Sequence, residues 1–162
     1  MIQRGVSRVQ RFLPVFESSH VAPFSFEQVA AFFADPANLR QLTPPWLRLS
    51  LVEAPAEIEV GSRLRYRVAP FGLPLAMVAE ISAWDPPFRF ADRQVRGPYR
   101  YWEHTHTFAA VSGGTEISDH IVYRLPGGPL APVVDRLAHR ALLSRLFDYR
   151  TRRLAELLAR GH

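Results

Sequence analysis

Hydrophobic residues along this chain change spacing three times, and each change marks a different kind of element. The stretch Phe12–Val21 alternates well enough for a first strand, although Pro14 confines it to a sheet edge or a strand start, and Ala22-Pro23 ends it. Ser25 followed three residues later by Gln28 has capping-box spacing ahead of Val29-Ala30-Ala31-Phe32-Phe33. That predicts a short helix stopping near Asp35-Pro36, because the residue before a proline disfavours the helical region. A second short helix is expected over Ala37–Leu42, running into Thr43-Pro44-Pro45-Trp46. The period then drops to two. Strands are predicted at Arg48–Ala54, Ser62–Ala69, Leu75–Trp84, Phe88–Val95, Tyr101–Val111 and Thr115–Leu125. Turn residues divide them, including Val60-Gly61, Asp85-Pro86-Pro87, Gly97-Pro98 and Ser112-Gly113-Gly114, and such short connections favour an antiparallel meander.

The last change restores helical spacing. Leu130, Val133, Val134, Leu137, Ala141, Leu146, Leu154, Leu157 and Leu158 predict one long helix over Leu130–Arg160 that packs through this stripe. Pro132 is tolerable only in its first turn, and Gly161 stands where a C-terminal cap belongs. At roughly 1.5 Å per residue, some 30 residues would make a helix near 45 Å long. The expected fold class is therefore α+β. Seven antiparallel strands form a curved sheet wrapped around the C-terminal helix, two short helices follow the first strand, and a cavity lies between the layers.

Composition narrows this picture without redirecting it. A chain of 162 residues, 48% hydrophobic and 12% aromatic, is long enough to bury one core and is too apolar for disorder. A single domain is expected over residues 16–162, behind a basic extension over residues 1–15 that carries Arg4, Arg8 and Arg11. No apolar run reaches the roughly 20 residues of a membrane span, and the start lacks the apolar core of a signal peptide, which points to a cytoplasmic protein. With no cysteine, disulfides and thiolate chemistry are excluded. The net charge of +5 comes from arginines alone, and they are dispersed. Arg63, Arg65 and Arg67 fall on one strand parity, as a solvent face would, and Arg150, Arg152 and Arg153 sit near a helix end where cations suit the dipole. Neither a nucleic-acid nor a membrane partner is expected.

The chemistry concentrates in Gly97–Phe108. In a strand starting at Tyr101, Trp102, His104, His106 and Phe108 share one face, and the bulky aromatics at either end turn that face inward. The neighbouring strands repeat the pattern, with Phe88, Phe90, Asp92 and Gln94 on one and Ile117, Asp119, Ile121 and Tyr123 on the other. Tight closure at Ser112-Gly113-Gly114 would put His106 opposite Asp119, and closure around Gly97-Pro98 would put His104 opposite Asp92. Two carboxylate–histidine pairs would result, each fixing a tautomer and raising the imidazole pKa. A one-residue slip destroys both.

Three uses of such a face stay open. It can lock the fold as a satisfied polar network, bind the polar end of a ligand, or move protons through a His–Asp pair. Candidate catalytic residues are His104, His106, Asp92 and Asp119. Candidate ligand contacts are Asp92, Gln94, His104, His106 and Asp119 as a polar pole, with Tyr66, Phe90, Trp102, Ile121 and Tyr123 as an apolar wall. His104 and His106 lie on one strand without a metal-ligand spacing signature, so no metal and no cofactor is expected. Glu80 and His139 read as solvated surface residues. Trp46 stands either at the cavity mouth or in the core.

Several segments together resemble the START-like helix-grip superfamily, also called SRPBCC, and within it the polyketide cyclase/dehydrase-like and small bacterial ligand-binding proteins. They are Asp35-Pro36-Ala37-Asn38-Leu39, Leu42-Thr43-Pro44-Pro45-Trp46-Leu47, Trp84-Asp85-Pro86-Pro87, Phe90-Ala91-Asp92-Arg93-Gln94, Gly97-Pro98-Tyr99, Trp102 to Phe108 and Phe147-Asp148-Tyr149-Arg150. The resemblance implies a deep cavity between sheet and helix that binds a small apolar or amphipathic organic molecule. It does not supply a reaction, since the superfamily spans carriers, sensors and cyclases. A cyclase or dehydratase and a filled structural domain are the alternatives.

Overall fold

The computed structural model describes residues 13–161. The basic extension expected over residues 1–15 therefore lies outside the described residues except at its end. Strands β1 (Val15–Ala22), β2 (Ser50–Glu53), β3 (Arg63–Val68), β4 (Leu75–Asp85), β5 (Arg89–Arg96), β6 (Tyr101–Val111) and β7 (Gly114–Arg124) form one antiparallel sheet in the order β1-β7-β6-β5-β4-β3-β2. Helix α1 (Phe26–Ala34) starts at the expected capping box, with the Gln28 backbone donating to Ser25 Oγ and the Ser25 backbone donating to Gln28 Oε1. The second short helix is a 3-10 turn, Pro36–Arg40, because Pro36 and the Asp35 side-chain cap start it too close to its end for an α-helix to establish itself.

The β6–β7 hairpin sets the register on which the inward face depends. Val111 pairs with Gly114 across the two residues Ser112-Gly113, and the ladder then runs back to His106↔Asp119. Only glycine serves at position 114. Its φ is +144°, and a Cβ there would stand 2.0 Å from the Ala22 carbonyl oxygen. On the outer face of the sheet, Glu80 of β4 accepts from Arg63 of β3 at 3.0 Å and from Arg93 of β5 at 2.5 Å. Glu80 is thus covered by two arginines rather than freely solvated, and their hydrogen bonds hold its carboxyl below the usual range.

The C-terminal rod differs from the single uniform helix that its spacing predicts. It consists of α2 (Ala131–Val134), a π turn at Asp135–His139 and α3 (Arg140–Ala159). α3 buries Leu143, Phe147, Leu154, Leu157 and Leu158, whereas Leu130, Val133, Val134 and Leu137 are 52–75% exposed. The stripe is therefore two stripes. The wider π turn changes the helix phase between them, so before α3 it is Asp135 and His139 that face inward. The Asp135 carboxylate accepts from Tyr123 Oη at 2.6 Å, lies 3.1 Å from His139 Nδ1, and accepts from Arg140 Nε at 3.1 Å. His139 also meets the Tyr99 hydroxyl at 3.0 Å through Nε2. His139 is buried, against its expected surface position, because this network satisfies both ring nitrogens.

Truncating the two stripes separates them. Leu154→Ala should cost about 2–5 kcal/mol in urea unfolding, as deletions in a packed core do. Leu137→Ala should change stability by less than about 0.5 kcal/mol, the range for an exposed site.

Candidate functional site

A cavity of about 290 Å³ lies between the inward face of the sheet and α3. Phe32 and Phe33 of α1, the segment from Asp35 to Trp46, strands β3 to β6 and five residues of α3 line it. Most of the lining is apolar, including Trp46, Trp84 and Trp102, which are all three tryptophans of the chain. Trp46 thereby belongs to the cavity wall. The polar exceptions on the sheet side are Asp92, His104 and His106, with Tyr66 on β3.

The register puts Asp92 opposite His104 and His106 opposite Asp119. Hydrogen bonding does not follow these pairs. His104 Nε2 lies 2.8 Å from Asp119 Oδ1, although the residue directly opposite His104 on β7 is Ile121. Asp119 is its diagonal neighbour, two positions along the strand and within reach of a long side chain. His106 Nδ1 comes within 2.8 Å of the same oxygen, but outside hydrogen-bond geometry, and it is otherwise buried without a partner. One carboxylate thus serves two imidazoles, whose centroids stand 3.8 Å apart, where two separate pairs were expected. Phe90 stacks on His106 with centroids 4.2 Å apart and closes its other side.

Burial decides the charge states. It pushes the His104 imidazole down to about 3, helped by the neighbouring His106, and this outweighs the opposing pull of Asp119. That corrects the expectation of a raised pKa at His104. His104 is the neutral partner, and its contact assigns the proton to Nε2, leaving Nδ1 as an acceptor. Burial also pushes the Asp119 carboxyl up, but His106 and His104 beside it prevail and hold it below the usual carboxylate range. Asp92 lacks such support. Desolvation raises it to about 6, against the weaker pull of His106 and Arg150.

Four expected ligand contacts stand outside the cavity lining. Asp119 is behind the histidines, and Ile121 is fully buried in the core with Leu143 and Phe147. Tyr123 is turned to Asp135. Gln94 clamps its own loop, donating to the Tyr99 carbonyl at 2.8 Å and accepting from the Tyr99 backbone at 3.2 Å. Phe88, on the same expected inward parity, is 58% exposed because it precedes β5 and packs against Phe26 instead. Tyr66, Phe90, Asp92, Trp102, His104 and His106 do line the cavity. For a cation, Asp92, His104 and His106 each bring one ligand atom within 4.8 Å of the others, a grouping of nitrogen and oxygen donors suited to a divalent ion.

The residue missed from sequence is Arg150. It lines the cavity from α3, with its guanidinium carbon 5.2 Å from the centre of the Phe147 ring. The signal was its position. Leu143, Leu146, Phe147 and Arg150 follow the helical period along one face, whereas the helix end invoked to explain its charge is nine residues further on, at Ala159.

Fold and site together define a helix-grip protein with a cavity between sheet and helix and a polar patch on its sheet side. The model of the polyketide cyclase / dehydrase and lipid transport family matches residues 14–159, and the chain belongs to that family. Similar solved structures include a protein from Chromobacterium violaceum, 19% identical, with a TM-score of 0.69 and coverage of 88% of this chain and 95% of that one. An AHSA1-like protein from Aeromonas hydrophila is 15% identical, with a TM-score of 0.66 and coverage of 92% and 97%. A nucleoside-diphosphate sugar epimerase from Corynebacterium glutamicum is 25% identical over 89% of this chain but only 29% of its own, with a TM-score of 0.63. Comparison with curated protein sequences returns no match. Among the described residues no helix is long and apolar enough to cross a membrane.

The charge states predict opposite pH dependences. Asp92 is raised in the folded state, so its contribution is present below its unfolded value of 3.8 and lost as the pH rises through about 6. Asp92→Asn should therefore leave stability nearly unchanged near pH 4 and increase it by about 2 kcal/mol near pH 7.5, read from urea midpoints. His104 is lowered, so its contribution is present above 6.5 and lost as the pH falls toward about 3. Its ring should remain neutral at about pH 5 in a nitrogen-detected NMR titration.

Proposed function

We propose that this protein binds a small apolar or amphipathic organic molecule in the cavity between sheet and α3, with Asp92, His104 and His106 as its polar pole. The observation that carries this reading is an apolar cavity of about 290 Å³ with a few convergent polar groups in its wall. That volume is at the low end for ligand sites, which suits a compact, one- or two-ring molecule. Tyr66, Phe90 and Trp102 supply apolar wall, and Asp119 acts from behind by orienting both imidazoles. The protein is read as a single cytoplasmic domain that takes its ligand from solution, without a nucleic-acid or membrane partner.

One observation favours a second reading, a cyclase- or dehydratase-type enzyme. Asp92, raised to about 6, lines the cavity beside the neutral imidazole of His104. A carboxyl poised near neutrality beside an imidazole that can accept a proton is an arrangement for acid–base catalysis on a bound substrate.

The binding reading is tested with a neutral two-ring probe, 2-naphthamide, followed through the three cavity tryptophans. Saturable quenching is expected. Leu146→Trp, which fills the helix side of the cavity, should weaken binding at least about tenfold with the melting temperature held within a few degrees. Quenching that never saturates, or equal affinity in the filled variant, would sink the proposal.

A further inference from the structure

Arg150 has no hydrogen-bond acceptor or ion-pair partner among the described residues, and an arginine in such a wall needs one. Its Nε–H is buried and donates to no acceptor, and no carboxylate among the described residues forms an ion pair with it. The carboxylates nearest the core are committed elsewhere. Asp119 holds the histidines, and Asp135 holds Tyr123, His139 and Arg140. Asp92 shares the cavity lining with Arg150 without pairing with it. The Phe147 ring covers the guanidinium at 5.2 Å, which favours the cation but supplies no hydrogen-bond acceptor. Burying the Nε–H of a guanidinium without an acceptor is costly, and an arriving carboxylate supplies both the acceptor and the opposite charge.

We infer that the molecule bound here is an organic monocarboxylate, its apolar body against the aromatic wall and its carboxylate held by Arg150 from the helix side. This rests on the ligand-binding reading above. The planar fork of arginine matches a carboxylate through two parallel donor contacts. A single negative charge fits the surroundings better than the double charge of a phosphate monoester, since Asp119, and Asp92 once ionised, add negative potential to the same space. Arg150 is also the group whose charge acts on Asp92, Asp119 and Tyr66 together, so it belongs to the polar pole rather than to a remote part of the wall. The pole then has two sides. Neutral imidazole and a titratable carboxyl on the sheet face any hydroxyl or carbonyl of the ligand, and the helix faces its acid group.

Matched probes test this by isothermal titration at about pH 7.5, where an aromatic carboxylic acid is ionised. 2-Naphthoic acid should bind the native protein about ten- to a hundredfold more tightly than 2-naphthamide, the range for a charge-assisted contact. Arg150→Met should abolish that preference, with a melting temperature within a few degrees of the native protein's to show that the variant is folded. Arg150→Lys should retain part of it, because the charge stays and the fork is lost. Equal affinities for acid and amide in the native protein, or a preference that survives Arg150→Met, would overturn the inference while ligand binding stands. Failure of every probe to bind would overturn both.

Discussion

A sheet face that turns inward can carry two imidazoles only if a buried group answers their polarity, and in this protein the Asp119 carboxylate does so, accepting from His104 and lying beside His106. Its single carboxylate stands 2.8 Å from a ring nitrogen of both His104 and His106. With the anion placed behind the rings, the rings present their remaining edges to the cavity. Asp119 makes the polar patch self-consistent, because a buried carboxylate unpaired would be as costly as the histidines it serves. The rest of the site is arranged around that commitment. Asp92, one strand further on, has no such partner and stays near its titration point.

The helix side is held by a separate network. Asp135 draws Tyr123 of β7, His139 and Arg140 together, and His139 reaches Tyr99 in the β5–β6 loop. These contacts tie the start of the rod to the sheet and accompany its π turn. α3 then runs with Leu143, Phe147 and Arg150 toward the cavity. Gln94 braces the same loop through the Tyr99 backbone. Asp135 and Gln94 themselves stand outside the cavity lining, and both clusters reach it through Tyr99, which lines the wall.

Strand identities and the register of the central hairpins were legible because period-two patterning and glycine turns are local signals. Ser112-Gly113-Gly114 closes tightly, so His106 faces Asp119. The hydrogen bonds were not legible, since pairing fixes only which Cβ atoms are opposed. Sheet twist and rotamers decide whether a side chain reaches straight across or diagonally, and His104 reaches diagonally to Asp119. The exposure of Leu130, Val133, Val134 and Leu137 was not legible because a helical stripe carries no mark of the π turn at Asp135–His139. His139 reads as surface in the sequence because a polar residue among charged neighbours looks so, and only its contacts with Asp135 and with Tyr99 in the β5–β6 loop bury it.

What the amino-acid order determined by itself was the sequence of elements, the curved antiparallel sheet closed by a long helix, and a polar patch of Asp92, His104 and His106 on an aromatic inward face. These follow from periodicity, turn chemistry and parity, which act over a few residues. Tertiary structure alone decided that one carboxylate would serve both histidines, that Gln94, Ile121 and Tyr123 would miss the cavity, and that Arg150 would line it without a counter-ion. Those outcomes depend on where groups distant in sequence come to rest. Burial sets the charge on Asp92 and His104, and burial exists only once the helix has closed over the sheet.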